Sequence, residues 1–146
     1  MKLSAHFTLE EATLSQTAAR KGLDNRPPAE ALTAMVVAAE QLEKVRLLLD
    51  APVHVSSWYR SPAVNAAVGG ASMSAHLQGC AIDFTAGEFG LPLEVCRAIA
   101  DSNLEFDQLI MEGKWVHISF DERMRRQVLT ARFAPGSTSY ITGLGD

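Results

Sequence analysis

The sequence predicts an α+β domain in which helices pack on a central antiparallel β-sheet. Helical patterns dominate the first part of the chain, and short apolar strands follow in the second part. Helices that precede most of the strands favour an α+β fold with an antiparallel sheet. The 146 residues suffice for one hydrophobic core, so we expect a single domain that covers residues 1–146.

The first part of the chain carries two short helical signals and one strong one. A capping box at residues 8–11 predicts a short helix from Leu9, and residues 17–26 favour a loop or a second short helix. Pro27 and Pro28 open the clearest helix, because proline is tolerated in a first helical turn. Its predicted core-facing stripe comprises Leu32, Met35, Val36, Ala39, Leu42, Val45 and Leu49.

Pro52 ends this helix, and strands and helices then alternate. Strands are predicted at residues 53–59 and 81–84, with a short helix between them that ends at Gly69-Gly70. A helix is predicted over residues 92–102, with Leu93, Val95, Cys96 and Ile99 facing inward. The remaining predicted strands cover residues 107–111, 115–120, 127–133 and 139–142, with Gly113-Lys114 as a hairpin turn and the last two at the sheet edge.

Composition excludes several classes of protein. Hydrophobic residues make up 47% of the chain and charged residues 21%, which is typical of a globular protein rather than a disordered one. No apolar run approaches the roughly 20 residues of a membrane helix. The net charge of −4 gives no attraction to nucleic acid or to an anionic membrane. We therefore expect neither as a partner.

The amino-terminal residues lack the pattern of a secretion signal. Lys2 is followed by no apolar stretch, and Glu10 and Glu11 come too early for a signal peptide. Two cysteines, Cys80 and Cys96, are too few for a disulfide scaffold. These features predict a protein that is cytoplasmic as synthesised.

His76 and Asp83 form the first group of candidate functional residues. Small residues and glycines surround His76, so the backbone can pack tightly around a polar site. Asp83 lies between Ile82 and Phe84 in an apolar strand. A carboxylate in that position needs a partner, because burying an unpaired charge is very costly. A divalent metal ion or an arginine would serve.

His117 lies in a predicted strand in which apolar and polar residues alternate, so that the strand has an apolar face and a polar face. Val116, Ile118 and Phe120 are predicted to face the core, and Trp115, His117 and Ser119 to form a pocket wall. If Gly113-Lys114 is a two-residue turn, Ile110 pairs with His117 and Glu112 pairs with Trp115. Glu112 then shares the face of His117 and lies one diagonal step away. A solvated glutamate at the hairpin tip is the alternative.

Other candidate ligands are weaker. Cys80 is an odd number of positions from Asp83, so it faces the opposite side of that strand, and we expect a small core residue there. Cys96 is expected in the core on a helix face. His54 has no acidic or cysteine neighbour and is expected not to be a ligand. Arg60 ends a strand beside two aromatic residues, where a guanidinium group can grip a carboxylate with two hydrogen bonds.

The motif Ser74-x-His76-x-x-Gly79-x-Ala81-x-Asp83, followed by Trp115-x-His117, resembles that of the zinc D-alanyl-D-alanine carboxypeptidases. This family includes phage L-alanyl-D-glutamate endopeptidases and shares the hedgehog/DD-peptidase fold. Residues 7–11, residues 57–62, Asn65 and residues 68–70 also match its pattern. The likeness spans about residues 6–121.

The resemblance implies a zinc metallopeptidase that hydrolyses peptidoglycan stem peptides. His76, Asp83 and His117 would bind one zinc ion, Glu112 would be the catalytic base, and Arg60 would hold a substrate carboxylate. Ser74 and Ser119 would orient ligands, and Ser74 and Trp115 would also contact substrate. Many relatives have the acidic base three residues before the second histidine, where this chain has Lys114. Many relatives also have glycine in place of Trp58, which would alter the pocket rim.

Two alternatives accompany this prediction. The chain could instead be a metal-stabilised module that binds the cell wall, or part of a phage particle, without cutting peptides. It could also be a metal-free domain in which Asp83 pairs with Arg60. For the peptidase we expect a monomer that acts on the cell wall, as either a carboxypeptidase or an endopeptidase.

Overall fold

The computed structural model describes residues 1–145, so Asp146 of the predicted single domain lies outside the described residues. These residues form five α-helices, six β-strands and one short 3-10 turn at Ala75–Gln78. The helices are α1 (Leu9–Thr13), α2 (Gln16–Lys21), α3 (Ala29–Leu49), α4 (Pro62–Ala67) and α5 (Pro92–Ala100). The strands are β1 (His54–Ser57), β2 (Ala81–Thr85), β3 (Gln108–Met111), β4 (Val116–Ser119), β5 (Gln127–Ala134) and β6 (Ser137–Thr142).

The strands form one six-stranded sheet in the order β1-β2-β4-β3-β5-β6. This architecture confirms the predicted α+β class. All neighbouring strands are antiparallel except β3 and β5, which run parallel. The expectation of a wholly antiparallel sheet was wrong for this pair. Residues 120–126 lead from the end of β4 past its partner β3, so β5 starts at the same end as β3.

An ion pair between buried Asp107 and exposed Arg125 holds this crossover in place. The carboxylate of Asp107, which is 1% exposed, accepts hydrogen bonds from Arg125 Nε at 2.8 Å and Nη2 at 2.9 Å. The backbone N–H of Arg125 also donates to Asp107, and the N–H of Gln127 donates to the Asp107 carbonyl. The hydrogen bonds from Arg125 lower the pKa of the Asp107 carboxyl. One carboxylate therefore fixes the start of β5 beside β3.

Helix α3 supplies one wall of the core. Pro28 precedes its first turn, and Asp50 ends it in the left-handed conformation at φ 49°. The predicted stripe is correct except near its start, where Val36 is 37% exposed and Ala38 is buried instead. Within residues 1–145, α3 included, no helix combines the length and the apolar composition needed to cross a membrane.

The central strands divide the molecule into two sides. Ile82, Phe84, Val116 and Ile118 are each fully buried and belong to the hydrophobic core. That core also contains the inner faces of α3 and α5. The alternate residues of β2 and β4 point to the opposite side of the sheet because side chains alternate along a strand. The polar residues of interest lie on that second side.

The Asp107–Arg125 pair predicts a pH-dependent stability. Replacing Asp107 with asparagine should lower the free energy of unfolding by about 2 kcal/mol at pH 7, since bonds to a charged partner are lost. Folding lowers the pKa of Asp107, so its stabilisation is present above the ordinary carboxyl pKa of about 4. It is lost as the pH falls through the folded-state value.

Urea unfolding at several pH values tests this prediction. The difference between wild type and Asp107→Asn should shrink in acid. Glu105→Gln, a change at an exposed residue of the same loop, should have little effect at any pH. A constant difference from pH 7 to pH 3 would contradict the assignment of the stabilisation to the ionised carboxylate.

Candidate metal centre

Asp83 and His117 face each other across two central strands. The register of β2 and β4 pairs Asp83 directly with His117, so both side chains project from the same side of the sheet. His117 Nδ1 lies 2.9 Å from Asp83 Oδ1. Apolar neighbours on both strands point the other way, into the core. The alternation of the two strands thus brings a carboxylate and an imidazole together.

His76 reaches the same point from the 3-10 turn that precedes β2. Its imidazole is 2% exposed, and its Nε2 lies 3.3 Å from Asp83 Oδ2. The other ring nitrogen, Nδ1, lies 2.6 Å from the carbonyl oxygen of Trp58 and therefore donates to it. This hydrogen bond orients the ring so that Nε2 faces Asp83. Ser74 caps the turn by accepting from the N–H of His76 at 3.2 Å.

Gly79 ends this turn at a position where a side chain does not fit. Its φ is +80°, in the left-handed region that favours glycine. A Cβ atom there would lie 2.5 Å from Met35 Cγ and 2.9 Å from the carbonyl oxygen of Ala31, both on α3. The glycine therefore lets the turn pack closely on α3, and this packing holds His76 over the sheet.

These three side chains fit the ligand set of a zinc ion. One ligand atom from each of His76, Asp83 and His117 lies within 4.8 Å of the others. Tetrahedral zinc with ligands at about 2.0–2.1 Å separates neighbouring ligand atoms by about 3.3 Å. The 3.3 Å between His76 Nε2 and Asp83 Oδ2 matches that spacing. Two imidazoles and one carboxylate also leave a fourth position for solvent or substrate.

The cluster keeps Asp83 in the charged form that a metal requires. Burial alone would raise its pKa, but hydrogen bonds from His117 and His76 outweigh this effect and hold the pKa well below its ordinary range. The two imidazole rings are 5.3 Å apart and meet edge to face at 70°. An ionised carboxylate between two imidazoles is thus ready to bind a cation.

Glu112 lies in the same cleft as the cluster. The structure pairs Ile110 with His117 and joins the N–H of Glu112 to the carbonyl of Trp115 at 3.0 Å, as expected for the predicted hairpin. The cleft has a volume of about 580 Å³. Burial raises the pKa of Glu112, the charge of His117 lowers it and that of Asp83 raises it. Glu112 is partly buried in the cleft rather than fully exposed at the hairpin tip.

Arg60 also lines this cleft. Its backbone N–H donates to the carbonyl of His76 at 3.1 Å, which ties it to the turn. Its side-chain Nε is buried and has no hydrogen-bond partner. Burial lowers the pKa of the guanidinium group and the charge of Asp83 partly offsets this, yet an arginine stays protonated at neutral pH. The cleft thus contains an incompletely bonded cation.

The other candidate residues separate into two groups. Ser74 and Trp115 line the cleft, whereas the hydroxyl of Ser119 is buried and accepts from the N–H of Gln108. His54 is exposed on β1, and the three-residue cluster does not include it. Cys96 is fully buried, and burial raises the pKa of its thiol to about 12.

Two expectations for this region were wrong. Cys80 is only half-buried, and its thiol lies beside Gln78 and near the charges of Asp121 and Glu122 rather than in the core. The ring of Trp58 does not form the pocket rim. It is 1% exposed, packs edge to face on Phe7, and donates through Nε1 to the carbonyl of Gly79 at 2.9 Å. Its ring and its carbonyl support the turn that holds His76.

The proposed pairing of Asp83 with Arg60 also differs from what the structure has. The Asp83 carboxylate takes its hydrogen bonds from His117 and His76, and the interaction with Arg60 is an attraction between charges. The metal-free alternative therefore loses the contact on which it was based.

Sequence reasoning missed part of the cleft wall. Leu129 on β5 and Tyr140 on β6 line the cleft, as do Asp107 and Arg123 near the crossover. The alternation of Thr138, Tyr140 and Thr142 was a signal for one face of β6. It could not place that face beside the metal cluster without the parallel pairing of β3 and β5.

The fold and the cluster together define a class of protein. An α+β domain with two imidazoles and a carboxylate at an open cleft has the ligand set of a catalytic zinc protein. The family model described as Peptidase M15 matches residues 5–119, and the chain therefore belongs to the peptidase M15 family. This is a family of zinc-dependent metallopeptidases. No curated protein matches the chain significantly.

The cluster predicts stoichiometric zinc binding that depends on three side chains. Replacing His76, Asp83 or His117 with alanine should each lower zinc affinity by more than about 100-fold, since even supporting residues of metal sites contribute 10- to 100-fold. Titration calorimetry on the metal-stripped protein measures this affinity. His54→Ala should bind zinc like the wild type. Equal affinity in wild type and His117→Ala would contradict the assignment.

Proposed function

We propose that this chain is a zinc-dependent peptidase that hydrolyses stem peptides of peptidoglycan. The observation that supports it best is the convergence of His76, Asp83 and His117 in a cleft that also holds Glu112 and Arg60. Membership of the peptidase M15 family supports peptide hydrolysis. The choice of peptidoglycan rests on the sequence resemblance to D-alanyl-D-alanine carboxypeptidases and L-alanyl-D-glutamate endopeptidases.

His76 Nε2, Asp83 and His117 Nδ1 would hold the zinc ion. When bound, zinc supplies a more acidic water molecule and a Lewis acid for the scissile carbonyl group. The Trp58 carbonyl keeps the imidazole of His76 in the tautomer that can bind the metal. The packing of Gly79 on α3 keeps the ligand from moving away. The protein thereby presents the three ligands before the metal binds, which reduces the cost of ordering the site.

Glu112 would act as the general base and then as the general acid. In this role its carboxylate takes a proton from the attacking water and delivers it to the leaving amine nitrogen. Its partial burial raises the pKa, which brings the carboxyl closer to the working pH and favours proton transfer in both directions. The hairpin bond between Glu112 and Trp115 fixes the backbone that carries this side chain.

Arg60 would bind a carboxylate of the substrate. Its guanidinium group is a permanent cation in a partly buried position, and its Nε lacks a partner within the protein. A carboxylate on the peptide would restore that missing hydrogen bond and could accept two parallel bonds from the planar group. Ser74 and Trp115 line the same cleft as Arg60 and Glu112 and would contact the peptide.

In this proposal the protein is a monomer whose site of action is the cell wall. Carboxypeptidase and endopeptidase action differ in where the Arg60-bound carboxylate lies relative to the scissile bond. Mass spectrometry of the products from purified peptidoglycan distinguishes them. A carboxypeptidase releases single terminal residues, whereas an endopeptidase cuts within the peptide and creates new chain ends there. Binding of peptidoglycan without any new termini would instead support the non-catalytic module.

Replacing Glu112 with glutamine tests the proposed base. The variant should keep one zinc ion per chain, because Glu112 is not a ligand, and should lose about 100- to 10,000-fold in kcat. Turnover of a synthetic stem peptide and elemental analysis of the same sample provide the two readouts. Glu122→Gln, at an exposed residue, is the matched control and should retain full activity. Wild-type turnover by Glu112→Gln would refute the role of Glu112.

Replacing Arg60 with methionine tests the carboxylate contact. KM for a stem peptide with free carboxylates should rise by roughly 10- to 100-fold, the loss expected for a charge-assisted hydrogen bond. The same peptide with amidated carboxylates should be a poor substrate for wild type and should respond little to the substitution. Arg20→Met, outside the cleft, is the control. An equal effect on both peptides would rule out recognition of a carboxylate by Arg60.

A further inference from the structure

The sheet register extends the metal-binding face to the last two strands. Asp83 pairs with His117, His117 with Ile110, and Ile110 with Leu129. Leu129 in turn pairs with Thr142 on β6. Paired residues of neighbouring strands project from the same side of a sheet. The hairpin of β5 and β6 therefore adds two strands to the face that carries the cluster.

Glu112 and Tyr140 lie in the next cross-strand row. Met111 pairs with Thr130, so the residues that follow them, Glu112 and Ala131, are also neighbours. Ala131 pairs with Tyr140. Ala131 is buried and presents only a methyl group between the two longer side chains. Since neighbouring strands are about 4.8 Å apart, the backbones of Glu112 and Tyr140 are separated by about 10 Å.

Because Ala131 is small, the side chain of Tyr140 can extend over it into the cleft. Its side chain lines the same cleft as Glu112, Trp115 and His117 although the residue remains 53% exposed. Burial of the phenol and the negative charges of Glu112 and Asp83 raise its pKa. The hydroxyl is therefore protonated at neutral pH and available as a hydrogen-bond donor.

We propose that Tyr140 is a substrate-binding residue whose hydroxyl donates a hydrogen bond to a carbonyl oxygen of the bound peptide. Its ring and the side chain of Leu129 then form the wall of the cleft on the side of β5 and β6. This hairpin lies beyond residues 5–119, so the match to the family model does not include it. The inference rests on the proposed peptidase function, since it assigns the peptide one further contact.

The experiment compares Tyr140→Phe and Tyr140→Ala with wild type on a synthetic stem peptide. Tyr140→Phe removes only the donor and should lower kcat/KM by about 10-fold, the usual effect of losing one hydrogen bond. Tyr140→Ala also removes the wall and should lower it further. Zinc content and thermal stability should match the wild type in both variants. Ser139→Ala is the control, because Ser139 is exposed and points away from the cleft.

Peptide binding to the inactive Glu112→Gln protein provides the second measurement. Adding Tyr140→Phe to that variant should raise the dissociation constant of the peptide by a similar factor. If the wild type cleaves the peptide and Tyr140→Phe changes neither kcat/KM nor the dissociation constant by twofold, the Tyr140 contact is refuted while the peptidase proposal stands. If the wild type does not cleave the peptide, the peptidase proposal fails, and the Tyr140 proposal that rests on it fails too.

Discussion

The carboxylate of Asp83 is the group on which the arrangement of the site depends. It lies in an apolar strand, where an unpaired charge would be very costly, and the imidazoles of His117 and His76 remove that cost. Each imidazole requires a different part of the fold. His117 requires the antiparallel register of β2 and β4, and His76 requires the turn held by the Trp58 carbonyl. The core packing and two of the three candidate metal ligands, Asp83 and His117, therefore follow from the same strand pairing.

The two sides of the sheet have separate tasks. Ile82, Phe84, Val116 and Ile118 bury one side against the helices, and this side stabilises the domain. The residues next to them along each strand point away from the core, so polar side chains there do not disturb its packing. A rigid sheet fixes these polar groups better than loops would, which suits the metal ion and the base proposed for this site. The crossover anchored by Asp107 adds β5 and β6 to the sheet, and these two strands extend the polar face.

Much of this site could be predicted from strand alternation. Alternation placed His117 opposite the core residues of β4, and the glycine of the turn gave the pairing of Ile110 with His117 and hence the position of Glu112. Contacts between distant segments were not predictable in this way. The ring of Trp58 is buried in the core and donates to the carbonyl of Gly79, 21 residues later. Tyr140 reaches the cleft only through the parallel pairing of β3 and β5. Neither contact leaves a local pattern in the sequence.

The claim that two imidazoles and one carboxylate hold a zinc ion can be measured directly by X-ray absorption at the zinc edge of the zinc-loaded protein. We expect four nitrogen and oxygen neighbours at about 2.0–2.1 Å, two of them with the outer-shell scattering of imidazole. We expect no sulfur neighbour, since Cys80 and Cys96 lie outside the cluster. A sulfur neighbour at about 2.3 Å, or a zinc ion without imidazole scattering, would contradict this assignment of the ligands.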